Sequence, residues 1–152
     1  MTEPSCTPSP VTIAEVTTDA DIMATADVMR KLRPNIEPDA YVPTVRRMMQ
    51  TDGYHLVALR EGSLVRAVAG FRSMEMLYCG RILYVDDLNT DDASRSRGFG
   101  SALMDWLKSK ARELGCEQLH LDSGVQREAT HRFYFRERLT INAYHFRVSL
   151  RQ

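Results

Sequence analysis

The stretch LYVDDLNTDDASRSRGFGSALMDWLKSKAREL, Leu83 to Leu114, decides how the rest of the chain is organised. It opens as an apolar strand, passes through an acidic and polar stretch, turns on two glycines and continues with helical periodicity. Leu103, Leu107, Ala111 and Leu114 recur at three- and four-residue spacing, while Asp105, Lys108, Lys110, Arg112 and Glu113 stay off that stripe, which predicts an amphipathic helix. Gly115 is placed to end it. Where this helix begins, Arg95-Ser96-Arg97-Gly98-Phe99-Gly100-Ser101 puts small residues at the corner, so backbone N–H groups can converge without Cβ obstruction. The first-turn N–H groups have no helical acceptor and the macrodipole makes that end partly positive. The corner therefore predicts a phosphate or pyrophosphate ligand, held by backbone N–H groups with Arg95 and Arg97.

Three phosphate-binding patterns compete for these residues. A P-loop ends in Gly-Lys-Ser/Thr, but here Gly100 is followed by Ser101 and Ala102. A dinucleotide fingerprint asks for a third glycine where Leu103 stands; Asp122, about twenty residues on, is spaced like its ribose-binding acid, so this match is partial. The third pattern is Arg/Gln-x-x-Gly-x-Gly/Ala after a strand and opening a helix, and Arg95, Gly98 and Gly100 satisfy it. This resembles the acetyl-CoA signature of the GNAT superfamily N-acetyltransferases. The resemblance runs from about Val11 to Arg147, its specific part from Ile82 to Leu139.

Outward from this corner, the composition is that of an ordinary globular protein: 152 residues and 43% hydrophobic content, enough to bury about two-thirds of the unfolded surface in a single domain. Twenty basic and twenty acidic residues cancel, so no global field favours nucleic acid or an anionic membrane, and partners must be recognised locally. Cys6, Cys79 and Cys116 lie in no metal or CxxC spacing and read as free thiols; no metal is expected. The absence of a basic-plus-apolar leader or a long apolar run leads to the expectation of a soluble, cytoplasmic protein.

Residues 1–10, with three prolines, are expected to be a flexible tail, and 11–152 a single acetyltransferase domain. Val11 to Val16 reads as a strand, and Thr18 with Asp21 as the start of a helix running towards Leu32 and stopped by Pro34. A second helical stretch between Pro38 and Gln50, irregular at Pro43, turns Tyr41, Val45 and Met48 or Met49 to one side, and the pair could cover a substrate cleft. Tyr54 to Arg60 and Leu64 to Arg72 flank Glu61-Gly62-Ser63 as a hairpin. A turn at Cys79 and Gly80 leads into Ile82 to Leu88. The helix of the corner, a short strand Gln118 to Leu121, a helix near Glu128 to Arg138 and a last strand Ile141 to Val148 complete the chain. The fold class is thus α/β (α+β), a mixed, mostly antiparallel sheet with a central parallel strand pair and helices on both faces. That order is the order of the GNAT fold. The apolar last strand would leave an edge suited to a homodimer.

The resemblance implies an acetyl-CoA-dependent N-acetyltransferase acting on a primary amine, small molecule or peptide, by direct attack in a ternary complex. The alternative is a non-catalytic acyl-CoA-binding or regulatory domain of the same fold. By the resemblance, backbone N–H groups of Arg97, Gly98, Phe99, Gly100 and Ser101 face the pyrophosphate, the main chain of Leu88 and Thr90 meets pantetheine, and Tyr134 protonates the coenzyme A thiolate. Aromatic packing of Phe133, Tyr134 and Phe135 in a helix is the other reading of that tyrosine. For the amine proton, Asp86 and Asp87 sit at the cleft end of the central strand, where alternation sends one inward and the other outward; Asp87 is preferred, with ordered water as the alternative. Two positions depart from the family pattern. Arg138-Leu139 stands where Gly-Phe or Gly-Met is usual, and Gln126 or Arg127 where an asparagine often precedes the helix. Arg127, Arg132 and Arg136 read as a solvated helix face or, less favoured, an adenosine 3′-phosphate contact.

Overall fold

A computed structural model of the protein describes residues 7–151. The expectations for the first six residues, the free thiol at Cys6 among them, lie outside the described part. The chain divides into two compact units, one ending at His120 and one beginning at Leu121.

In the first unit, β1 (Val11–Glu15), β2 (His55–Glu61), β3 (Leu64–Met76) and β4 (Gly80–Thr90) form an antiparallel meander, and the short β5 (Gln118–Leu121), whose first three residues close this unit, lies beside β4 in parallel. Between β1 and β2 come α1 (Asp19–Ala24), α2 (Ala26–Leu32), a single 3₁₀ turn (Pro38–Ala40) and α3 (Tyr41–Thr51). Between β4 and β5 lies α4 (Phe99–Glu113). The period-2 alternation of β2 and β3 places helices on both faces. Leu56, Ala58 and Val68 join Ile22, Val28, Met29, Tyr41 and Val45 in one buried cluster. The intervening Val57, Leu59, Ala67, Ala69 and Phe71 are equally buried, and Phe71 meets Trp106 of α4 edge-on at 5.8 Å. The stripe read from the sequence supplies that side, with Leu103, Leu107 and Ala111 buried and Leu114 at the helix end partly exposed.

The expected first helix is two helices. Thr25 caps the break, its hydroxyl donating to the Ile22 carbonyl at 2.6 Å and lying 2.8 Å from the Tyr41 hydroxyl, so a buried side chain competes with the helical ladder there. Pro43 causes no irregularity, because it falls in the first turn of α3, where its missing N–H has no helical acceptor to lose.

The second unit contains α5 (Glu128–Arg136), which ends in a Schellman pair: Leu139 N–H donates to the Tyr134 carbonyl and Arg138 N–H to the Phe135 carbonyl, both at 3.0 Å. The expected strand Ile141 to Val148 is not formed, and Ile141, Tyr144, Phe146 and Val148 are exposed. Its alternation, Tyr144, Phe146, Val148, Leu150, is strand-like, but a ladder needs a neighbour, and local patterning carries no information on whether one is present.

Candidate active site

Two features of the first unit have the chemistry of a binding site. One is the corner opening α4. Gly98 is its N-cap residue, in the left-handed region at φ 81°, and offers no side chain to cap the helix. The first α-helical bond in this helix runs from Ala102 N–H to the Gly98 carbonyl at 3.0 Å, so the N–H groups of Phe99 and Gly100 precede the ladder. Among the described residues, and apart from its chain neighbours, a Cβ on Gly98 would meet no atom within 4 Å, so the space over the turn is open there. That is what a backbone cradle for a pyrophosphate requires, and the residues present fit one. The flanking arginines are less free than their spacing suggests. Arg95 is exposed and pairs with Asp92 at 2.9 Å. Arg97 spans back to Glu61 at the end of β2, and its guanidinium lies 4.7 Å from the Phe99 ring centre. The hydrogen bond from Arg97, opposed by partial burial and helped by Arg66, holds the Glu61 carboxyl below the usual carboxylate range. Upstream, Glu117 N–H donates to the Arg81 carbonyl at 2.8 Å, which starts the four-residue β5 beside the first half of β4. β4 runs on to Thr90, so Leu88 and Thr90 lie beyond the reach of that ladder.

The second feature is a cleft of about 320 Å³ between the helices after β1 and the second half of β4. Met29, Ile36, Val45 and Met48 form its apolar wall, and Arg33, Tyr54, Asp86 and Asp87 face them. Both aspartates line it, contrary to the expected alternation. The register passes from Phe71 opposite Val85 to Gly70 opposite Asp87, so Asp86 is the extra residue of a bulge, and a bulge brings two consecutive side chains to one side.

Each carboxylate is held on both oxygens. Arg72 grips Asp86 as a fork, Nε to Oδ1 at 3.0 Å and an amino group to Oδ2 at 2.6 Å. Asp87 accepts Arg33 Nε at 2.7 Å on Oδ1 and the Tyr54 hydroxyl at 2.8 Å on Oδ2. Burial pushes the Asp86 carboxyl up from the usual carboxylate range, and the Arg72 fork only partly opposes it. Burial, reinforced by the Asp87 charge, pushes the Tyr54 phenol well up, so it stays a donor. Tyr54 can reach Asp87 because Gly70 lies beneath it: a Cβ there would stand 1.9 Å from the hydroxyl oxygen.

Reasoning from sequence named Asp87 and missed Tyr54, Arg33 and Arg72. Tyr54 and Arg72 stand at the ends of strand patterns, which account for them without a site. A lone Gly70 inside an apolar strand, a known mark of a bulge or close approach, was the available signal.

In the second unit, Tyr134 is partly buried on α5, its ring tilted against Phe133 at 5.5 Å, while Phe135 is exposed. Burial, with Arg127 opposing, raises its phenol above the ordinary tyrosine value, which keeps the proton on it. Arg138 takes the left-handed conformation, φ 67°, which explains why a glycine suits that position. Asp122 pairs with His145 Nδ1 at 3.2 Å. Cys79 and Cys116 are free thiols. Among the described residues no helix is long and apolar enough to cross a membrane.

The model of the acetyltransferase (GNAT) family matches residues 22–139. The uncharacterized N-acetyltransferase YhdJ of Bacillus subtilis is 34% identical over 121 residues, 79% of this chain and 85% of its own. The aminoalkylphosphonate N-acetyltransferase of Salmonella typhimurium is 27% identical over 90 residues, 59% of this chain and 58% of its own. Among solved structures, a transcriptional regulator from Bacillus halodurans superposes with a TM-score of 0.82 at 22% identity, over 93% of this chain and 100% of that one, a likeness of fold.

Proposed function

The chain belongs to the acetyltransferase (GNAT) family and is an acyltransferase, and from that premise we propose that it moves the acetyl group of acetyl-CoA to a primary amine by direct attack in a ternary complex. The observation that carries this reading is the glycine corner, with Gly98 left-handed, uncapped and open above its missing Cβ. The backbone N–H groups from Arg97 to Ser101 hold the pyrophosphate, Arg95 and Arg97 add to the anion field, and the main chain of Leu88 and Thr90 holds the pantetheine arm. The cleft at Asp86 and Asp87 takes the acceptor.

In the transfer the amine nitrogen forms a bond to the thioester carbonyl carbon, the carbon–sulfur bond breaks, and Tyr134 gives its proton to the departing thiolate. Asp86 and Asp87 each accept one hydrogen bond on each oxygen from the partners described, and both keep lone-pair capacity for an amine N–H. Asp87, preferred from sequence as base, takes the amine proton. The Salmonella relative is an aminoalkylphosphonate N-acetyltransferase, and an amine acceptor is the part of that activity we extend to this chain. The chain acts as a single domain in the cytoplasm. It pairs as a homodimer through residues 140–151, whose exposed Tyr144, Phe146, Val148 and Leu150 alternate as an unsatisfied strand would; only monomer in light scattering at micromolar concentrations refutes the pairing.

The test of the central claim is Gly100→Val, in the first turn of α4. A branched side chain in this first turn, two residues past Gly98, should weaken acetyl-CoA by tenfold or more, on the order of the loss of one or two charge-assisted hydrogen bonds, with the fold kept. Unchanged affinity in titration calorimetry refutes the corner as the cofactor site. Coenzyme A binding without turnover of any amine would favour the non-catalytic alternative.

A further inference from the structure

We infer that the acceptor of this chain is a primary monoamine with an apolar body, as opposed to a polyamine or an amine bearing an acidic group; this rests on the transferase reading above. The argument is the charge balance of the cleft together with its wall. Two carboxylates, Asp86 and Asp87, face it, and each is already matched by one guanidinium, Arg72 and Arg33 respectively. A polycation entering here finds no uncompensated negative charge to repay the desolvation of its additional ammonium groups. A phosphonate or carboxylate finds no uncommitted cation among the lining residues, because Arg33 already donates to the Asp87 carboxylate and, at 2.8 Å, to the Asp86 carbonyl.

What the cleft does offer is a small number of acceptors. Each carboxylate oxygen receives a single hydrogen bond from its described partners and has further lone-pair capacity for an amine N–H. Opposite them, Met29, Ile36, Val45 and Met48 present hydrocarbon and polarizable sulfur, which adapt to a flexible or flat apolar group. A volume of about 320 Å³ is at the low end of small-molecule sites, room for a body of several carbons and little more.

The probes are ethylamine, butylamine, hexylamine, spermidine and 2-aminoethylphosphonate, each measured two ways on the full chain: thiol release from acetyl-CoA, and direct binding by calorimetry. Along the alkylamine series, binding and kcat/KM should rise about threefold to fourfold per methylene until the cleft is full. Hexylamine should exceed spermidine and 2-aminoethylphosphonate by at least about tenfold. A flat alkylamine series, or either multiply charged probe equalling hexylamine, overturns the inference and leaves the transferase reading standing. The converse result, hexylamine binding with the expected series but no amine acetylated, upholds the inference about the cleft and overturns the transferase reading. Arg33→Gln supplies a second check, because removing the Asp87 counter-ion leaves one unmatched carboxylate. Spermidine should then gain on hexylamine by several-fold, and an unchanged ratio counts against the charge-balance argument.

Discussion

Gly70→Ala offers a test of the cleft that can be worked through from the structure. The added methyl would stand 1.9 Å from the Tyr54 hydroxyl oxygen and 2.4 and 2.6 Å from two ring carbons, so the whole ring has to move. Tyr54 is 4% exposed and packed in the core, so it has little room to yield. Overpacking of this kind costs about 1–3 kcal/mol. Displacing the ring also removes the phenol from Asp87, a hydrogen bond to a charged group worth about 1.5–3 kcal/mol while Arg33 still holds the other oxygen. Together these predict a loss of about 2.5–6 kcal/mol, a large part of the ~5–15 kcal/mol that holds a domain folded. For a chain of this size that lowers Tm by roughly 5–24 °C. The assay is urea unfolding of four proteins: wild type, Gly70→Ala, Tyr54→Ala and the double variant. If the clash is the cause, Gly70→Ala should cost less than about 0.5 kcal/mol once Tyr54 is alanine. An equal cost in both backgrounds, or a wild-type Cm for Gly70→Ala alone, would refute the account of why this strand carries a glycine.

Other outcomes follow from single positions. Tyr134→Phe keeps the ring but removes the proton, so turnover should fall on the order of a hundredfold to ten-thousandfold with acetyl-CoA affinity little changed; a wild-type rate across the pH range would make Tyr134 a packing residue. Arg138→Gly removes a side chain from a residue at φ 67° that closes α5, and should stabilise the protein by about 1 kcal/mol in thermal unfolding; a loss of stability would show that the arginine side chain outweighs the backbone strain.

Short-range signals carried much of this protein. The stripe of α4, the hairpin at Gly62, the Arg95-Gly98-Gly100 corner and the stop at Gly115 all rest on interactions among residues close along the chain, so their spacing alone determined them. Three other features are decisions between distant residues. Thr25 breaks a helix because Tyr41 lies against it, sixteen residues on. Asp86 and Asp87 face the same cleft because β3 pairs with β4 through a bulge, which no alternation within β4 reveals. Asp87 is fixed in place by Tyr54 and Arg33, thirty-three and fifty-four positions away, at its two oxygens. The segment Ile141 to Val148 shows the same limit from the other side: its alternation made a strand possible, but a strand exists only where a partner's N–H and C=O groups meet it. Sequence thus determined which local shapes the chain could take, the glycine corner at the start of α4 among them. Tertiary structure decided which carboxylates share a cleft and what balances their charge, because those energies belong to pairs of groups that the sequence does not place side by side.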